Sequence, residues 1–466
     1  MTKRHLPSIP AWLDRDLRIV LLARTAMSAA RAIAGVVTAL YLAAEGFSAI
    51  RIGLLFLCVA LASAVMSTTI GLVSDWVGRK LFLVVIPLLA SAAACVFSAD
   101  RATALLFVFA ALGSFGRGAG AGAGTVGPYQ PAEAAYVADR LSGNQRASAF
   151  GWLTFSSTLG ALAGGLLSTL AQPGHSVGAA ATLAYRPTFI AAAALSAIAG
   201  LVATALGEPK HRHTEEKPRS FRLPRRSWGI LWRFWITNGM NGIAIGMFGP
   251  FVSYWFHRRF GSSPGQIGVL FAVINVATLA ASLMAASIGK RFGAVRAIAA
   301  VRIFQGGLLI PMAFAPDFWS AGAIYLLRML VQRVGLPLRQ SFTQDVADPS
   351  ERASVAAISN LPAQGTQSGS QVLAGYLFDQ VALSAPMVIG GAIQALNGAA
   401  YLALFHSSGS KGQEAPGASQ DEHAPREAQA PSAQSDVRTS GVPAGPSDHD
   451  GGSRDQGVAS RTEGSR

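Results

Sequence analysis

Apolar residues in this chain run in long blocks separated by short polar segments, with no strand or turn signals between them of the kind a soluble core of this size would show. Twelve blocks stand out, at 19–43, 50–72, 81–99, 103–137, 149–171, 187–206, 229–256, 266–288, 294–315, 318–346, 353–378 and 384–406. Each is about 20 residues or longer, the helix length that crosses a hydrocarbon core of about 30 Å. The fourth exceeds one straight span, and its Gly-rich stretch from Gly116 to Gly127 predicts a bend or a break there. The pattern therefore predicts an all-α membrane protein with twelve transmembrane helices in two pseudo-symmetric six-helix bundles.

The two bundles follow from an internal repeat. Gly46, Gly53 and Gly78 recur 215 residues later as Gly261, Gly268 and Gly293. The run Ile52-Gly53-Leu54-Leu55-Phe56 becomes Ile267-Gly268-Val269-Leu270-Phe271, and Ser48 maps onto Ser263. Further along, Pro128, Asp139 and Arg146-Ala-Ser recur as Pro337, Asp348 and Arg352-Ala-Ser. Two homologous halves place a site on the axis between them, which is how many carriers are built. The expected organisation is a bundle at 1–206, a cytoplasmic loop at 207–228, a second bundle at 229–406 and a tail at 407–466.

Composition agrees with the pattern. The chain is 51% hydrophobic and 13% charged, against about 25% charged in soluble domains. With the N-terminus inside, nineteen Lys and Arg fall in cytoplasmic segments and five outside. This bias predicts that both termini are cytoplasmic, and the expected location is the plasma (inner) membrane. The net charge of +14 is thus mostly a topology signal, and its scatter over membrane-bounded loops excludes nucleic acid as a partner. No signal-peptide cleavage pattern precedes the first block, so that span is expected to remain in the protein. Cys58 and Cys95 fall within spans and are expected to pack there. Residues 407–466 contain no Leu, Ile, Phe, Tyr or Trp and are expected to be disordered.

Polar residues inside the spans are the candidates for function, because charge in the bilayer is expensive. Arg31 is near mid-membrane, where it lines a cavity or forms a structural pair; Arg117 and Arg328 are similarly deep. Arg24, Arg233, Arg302 and Arg339 lie within snorkelling reach of the cytoplasmic surface. Among carboxylates only Glu133 is well inside a span, six residues from Asp139. Proton coupling, an ion pair with an Arg and a substrate contact are the three roles open to it. Asn360, Gln364, Gln367 and Gln371 follow the i, i+4, i+7, i+11 spacing of one helix face. Such a face is directed at water, substrate or another helix. Asn238 and Asn241, with Asn275, form a smaller set. The excess of buried Arg over buried carboxylate points to an anionic or polar-neutral substrate.

The loop after the second span reads Gly71-Leu-Val-Ser-Asp75-Trp-Val-Gly78-Arg79-Lys80. Gly71 lets a helix end approach a neighbour, Gly78 permits a tight turn, and Asp75 can bind Arg79 or face a helix N-terminus. This loop resembles the cytoplasmic signature of the major facilitator superfamily, G-x-x-x-D-[RK]-x-G-[RK]-[RK], departing only at Trp76. The second-half copy is degenerate, with Lys290 at the Asp75 position. Arg117-Gly-Ala-Gly120 resembles the family's R-x-x-x-G element. Gly160-Ala-Leu-Ala-Gly164-Gly165 only partly resembles an exporter motif, since its Pro is missing, and close helix packing explains the same glycines.

The resemblance implies that the signature loop, through Gly71, Asp75, Gly78 and Arg79, clamps and releases the halves on the cytoplasmic side. Asp139, Arg146, Asp348 and Arg352 are expected to make charge contacts on that same side. Arg31, Arg117, Asn238, Asn241, Arg328, Gln364 and Gln367 are the expected cavity residues, and Glu133 the expected proton site. The function implied is secondary transport of a small organic molecule by alternating access, by a monomer. Proton-coupled export of drug-like or metabolic compounds is preferred; uptake of a sugar, organic acid or other nutrient is the alternative, and a sensor on the same fold the third reading. No nucleophile–base pair, zinc spacing or P-loop is present, so neither an enzyme nor a metal or other cofactor is expected.

Overall fold

The structure is a computed structural model that describes residues 13–99, 102–116, 127–141, 143–172, 179–207, 226–281, 293–348, 351, 355 and 358–405. Most of the expected inter-half loop and all of the expected tail lie outside these residues, as do Arg117, Lys290 and Arg352.

Helices account for nearly all of the described chain. The first half contains α1 (Arg15–Ala44), α2 (Ala49–Val77), α3 (Arg79–Ala99), α4 (Thr103–Leu112), α5 (Gln130–Arg140), α6 (Gly143–Leu167), α7 (Ala179–Leu183) and α8 (Arg186–Thr204). The second contains α9 (Trp228–Phe248), α10 (Val252–Phe260), α11 (Pro264–Ala281), α12 (Ala294–Ala313), α13 (Phe318–Val346), α14 (Leu361–Gln380) and α15 (Ala385–Phe405). The fourth apolar block is shared between α4 and α5. The seventh divides at the 3-10 turn Gly249–Phe251, where Pro250 has no N–H to continue a helical ladder. Among the described residues, seven spans are long and apolar enough to cross a membrane by hydropathy alone. Helices α13 and α14 fall outside that set, interrupted as they are by Arg328, Arg333 and Arg339 and by Gln364, Gln367 and Gln371. The described helices fall into two halves, as the internal repeat predicts.

The repeated glycines mark repeated geometry. Gly46, after α1, and Gly261, after α10, both take positive φ, at 86° and 66°. Gly78 and Gly293, before α3 and α12, do so at 100° and 77°. These are turns that a side chain would strain. Gly53 and Gly268 are repeated for another reason. A methyl group on Gly53 would lie 2.6 Å from the Gln371 carbonyl oxygen in α14, and one on Gly268 would overlap the Gly165 carbonyl in α6. Helix α2 therefore packs on α14, and α6 on α11, at backbone distance across the two halves.

Within each half, glycines serve the same purpose. Gly160 and Gly164 bring α6 against the Thr25 and Ala29 carbonyls of α1, while Gly242 and Gly246 bring α9 against the Ala363 and Gln367 carbonyls of α14. Close approach of this kind replaces the hydrophobic drive that lipid cannot supply. Cys58 and Cys95, expected to be packed, are instead exposed on α2 and α3.

The seam between α6 and α11 offers a direct check. Thr169 Cβ lies 3.4 Å from where a Cβ on residue 265 would sit, close to disulfide spacing. The pair Thr169→Cys/Gly265→Cys, in a chain lacking Cys58 and Cys95, should cross-link on mild oxidation. After cleavage at a protease site inserted between the halves, the two fragments should migrate together until reduced. Fragments that separate without reductant would show that these ends do not meet.

Candidate functional site

In the first half the site is built on a buried charge pair. Glu133, on the first turns of α5, is 1% exposed, and Arg24 of α1 is 6% exposed. The Arg24 guanidinium forms an ion pair with Glu133 through Nη1 and donates to Ser157 Oγ of α6 through Nε. Tyr129 Oη, one turn before Glu133, donates to the other carboxylate oxygen at 3.3 Å. Arg24 therefore turns inward rather than snorkelling to the surface. The cause is energetic: left alone at this depth Glu133 would be an uncompensated buried charge, and pairing with Arg24 removes that penalty. Arg31, two turns further along α1, is partly exposed, and its guanidinium lies against Gly127.

In the expected orientation, with the signature-loop ends of the spans inner and the opposite ends outer, the inner ends hold the remaining first-half candidates. Gly71 is exposed with open space around it, and Gly78 makes the positive-φ turn; the Asp75 side chain lies outside the described residues. Arg79 pairs with Asp139 and donates to the Ala135 carbonyl at 2.5 Å, both in its own half. Arg146 donates to the Leu141 and Ala138 carbonyls at 3.1 and 2.7 Å, capping the end of α5. Arg140 binds Asp16 at 2.6 Å, tying α5 to the start of α1. Sequence reasoning passed over this last pair. In the second half, the Asp348 N–H donates to Ser227 Oγ at 3.3 Å, and Glu351 accepts from the Arg226 and Ser227 N–H groups at 3.2 and 2.8 Å, at the start of α9.

The second half gathers amides around arginines. Asn238 donates to the Ser359 carbonyl at 2.8 Å and accepts from Arg339 at 3.4 Å. Asn241 accepts from Arg302 Nη1 at 2.9 Å and from Gln394 at 3.2 Å, and Gln394 also donates to Gln305 at 3.1 Å. Arg302 and Arg339 thus point into the bundle instead of out to the surface. Arg328 is buried on α13 with Nε unpartnered. Along the α14 stripe, Asn360 and Gln364 are exposed, Gln367 is half-buried and Gln371 is fully buried with both amide atoms unpartnered. The stripe therefore runs from an open inner end to a closed outer end.

Closure at the outer end has a polar component that the sequence does not advertise. Asp379, at the end of α14, accepts from the Ala49 and Ile50 N–H groups at 3.0 and 2.9 Å. It caps α2 from the opposite half, where a carboxylate is favoured by the free N–H groups and the helix dipole. Ser253 of α10 donates to the Gly35 carbonyl of α1 at 3.3 Å, and Phe251 packs edge-on against Phe56. All these cross-half contacts lie in the outer half of the spans. Among the described residues no group of His, Cys, Asp and Glu is placed to hold a metal ion.

Comparison with known proteins bears on the fold and on the family. The sequence profile of the Major Facilitator Superfamily matches residues 20–239 and 234–443. The chain is 25% identical over 307 residues to a protein named multidrug resistance protein MdtG from Dickeya zeae (strain Ech586), covering 64% of this chain and 71% of that one. Among solved structures, a variant of the nucleoside transporter NupG superposes with a TM-score of 0.67 at 15% identity, over 84% of this chain and 99% of that one. A bacterial homolog of the human lysosomal transporter Spinster superposes at 0.66 and 15% identity, over 88% and 100%.

If Asp379 latches the outer side, Asp379→Ala should weaken it by about the value of an N-cap, roughly 0.5–2 kcal/mol. That corresponds to a shift of about two- to thirtyfold in the ratio of outer-closed to outer-open molecules. Spin labels at Arg186 and Trp319, on the outer ends of α8 and α13, should report a longer distance gaining population in double electron–electron resonance. An unchanged distance distribution would remove Asp379 from the closure.

Proposed function

The chain belongs to the major facilitator superfamily, a family of multi-pass membrane transporters, and we propose that it is a proton-coupled exporter of a small organic molecule. It works by alternating access as a monomer in the plasma (inner) membrane. Its bundles at 1–206 and 229–406 are joined by a cytoplasmic loop, and both termini are cytoplasmic. The observation that carries this reading is the Arg24–Glu133 pair, a titratable carboxylate buried below a sealed outer side. Export rather than uptake is supported by the likeness to a relative named for multidrug resistance.

The coupling follows from the chemistry of the pair. With Glu133 ionised the unit is neutral and satisfied by Tyr129 and Ser157. Protonation removes the carboxylate charge and leaves the Arg24 cation in need of another partner. A proton and a conformational change that separates α1 from α5 are thereby linked, since each favours the other. The signature loop acts on the opposite side of the cycle. Gly78 and Arg79 set the α2–α3 turn beside Asp139, and Asp75 and Gly71 meet the second half when the cytoplasmic side closes.

Two measurements test this. In proteoliposomes, Glu133→Gln should abolish movement driven by a pH gradient yet keep exchange of substrate for substrate, because Gln retains the shape and cannot release a proton. Unchanged pH-driven accumulation would leave Glu133 as a structural partner of Arg24 only. Glu133→Ala should destabilise the detergent-solubilised protein by about 3–5 kcal/mol, read as a fall in melting temperature. The double change Arg24→Met/Glu133→Leu should restore much of that loss while transport remains uncoupled. Binding of a ligand without its movement, in the parent protein, would favour a sensor.

A further inference from the structure

The second half contains a basic pocket that the proton site does not use. It is a cavity of about 100 Å³ among α9, α12, α13 and α15, lined by Arg302, Arg339, Asn241, Gln305, Gln332 and Gln394, with aliphatic walls. That is room for several waters or for one oxyanion group. Arg302 is 4% exposed. Its partners are neutral: the Asn241 carbonyl oxygen at 2.9 Å and the face of Tyr401 at 5.5 Å. Arg339 has Asn238 at 3.4 Å.

Among the described residues neither arginine has a counter-ion. The only acidic residues between 228 and 405 are Asp317, Asp345, Asp348, Glu351 and Asp379, all at helix ends or in loops. Arg302 is eight residues into α12 and Arg339 seven from the end of α13, about 12 and 10 Å of helix from the cytoplasmic ends. Two cations at that depth with only amides around them are expensive unless an anion joins them. The donors available, two guanidinium forks and carboxamide N–H groups, suit a carboxylate or phosphate oxygen.

We propose that this pocket binds an anionic oxygen group, carboxylate or phosphate, of the transported molecule. Building on the transporter reading above, this assigns the substrate class: an organic anion, held in the second half by Arg302 and Arg339 while Arg24 and Glu133 manage the proton in the first. With the outer seam packed at backbone distance and both arginines nearer the opposite ends of their helices, loading from the cytoplasm follows from the same reading.

The test uses the full chain, lacking Cys58 and Cys95 and carrying Gln332→Cys on the pocket wall, in phosphatidylcholine vesicles. An anionic methanethiosulfonate should react about tenfold faster, relative to its cationic counterpart, than it does with a free thiol, as expected beside concentrated positive charge. That preference should collapse in Arg302→Gln and in Arg339→Gln. It should also collapse in Asn241→Asp, which supplies the missing counter-ion without removing either arginine. Acetate or inorganic phosphate at millimolar concentration should slow the reaction severalfold, and acetamide should not. Equal reactivity to both reagents, or equal protection by acetate and acetamide, would overturn the proposal. So would protection by phosphatidylglycerol in the vesicle with no anion added, which would assign the same chemistry to a lipid headgroup. Transport of a neutral solute with no anion protection would sink this inference and leave the transporter reading standing. Anion protection without any transport would do the reverse.

Discussion

Backbone-to-backbone contact between the two halves is the constraint on which the rest of the molecule depends. Helix α2 can seat against α14 because residue 53 has no side chain, and α11 against α6 because residues 268 and 165 have none. Lipid supplies no hydrophobic drive for joining helices, so tight packing and a few well-aimed polar groups must hold the seam. Asp379 is such a group: it occupies a helix N-terminus that would otherwise present free N–H groups across the interface. A seam of this kind is close-fitting yet not large in energy. That suits the proposed alternating access, which requires two arrangements of comparable free energy.

The halves share a backbone but divide the chemistry. Span four of the first half carries Glu133, and the corresponding span of the second, α13, carries Arg328, Arg333 and Arg339. In the first half charge is balanced locally by Arg24 and Glu133; in the second it is left positive and surrounded by amides. The two centres lie at similar depth, roughly 10–13 Å of helix from the ends that carry the signature loop and its second copy. The proposed proton and anion sites fall one in each half, so electrostatics and the shared motion of the halves would couple them without a direct contact.

Much of the fold was legible because its causes are local. Hydrophobic length predicts spans, and a glycine that must turn or approach a backbone predicts its own recurrence, as at positions 46, 53 and 78 and their second copies. The partners of charged residues were not legible. Arg24 and Arg302 both fall within snorkelling distance by sequence position, and both turn inward, because the choice depends on what a helix far along the chain presents. Glu133 was open to three roles for the same reason. Asp379 gave no signal at all, sitting in a span end like any helix-terminal acid; only the arrival of α2 beside it makes it a cap. Sequence alone carries no register between the halves, so nothing in it pairs the end of α14 with the start of α2.

One consequence of the seam concerns how the α14 stripe works. Gln371 is buried with unpartnered amide atoms next to the point where Gly53 meets α14, whereas Gln364, two turns inward, is exposed. Burying an amide without a partner costs free energy that hydration would recover. The closed outer seam therefore contains a group that favours its opening, set against the Asp379 cap that favours its closure. Such opposition keeps the barrier low: a seam with every polar group satisfied would hold one state, and one with several unsatisfied would not close. Under the proposed alternating access, the stripe would serve as a row of amides wetted in turn, each satisfied by water when its own end of the cavity opens.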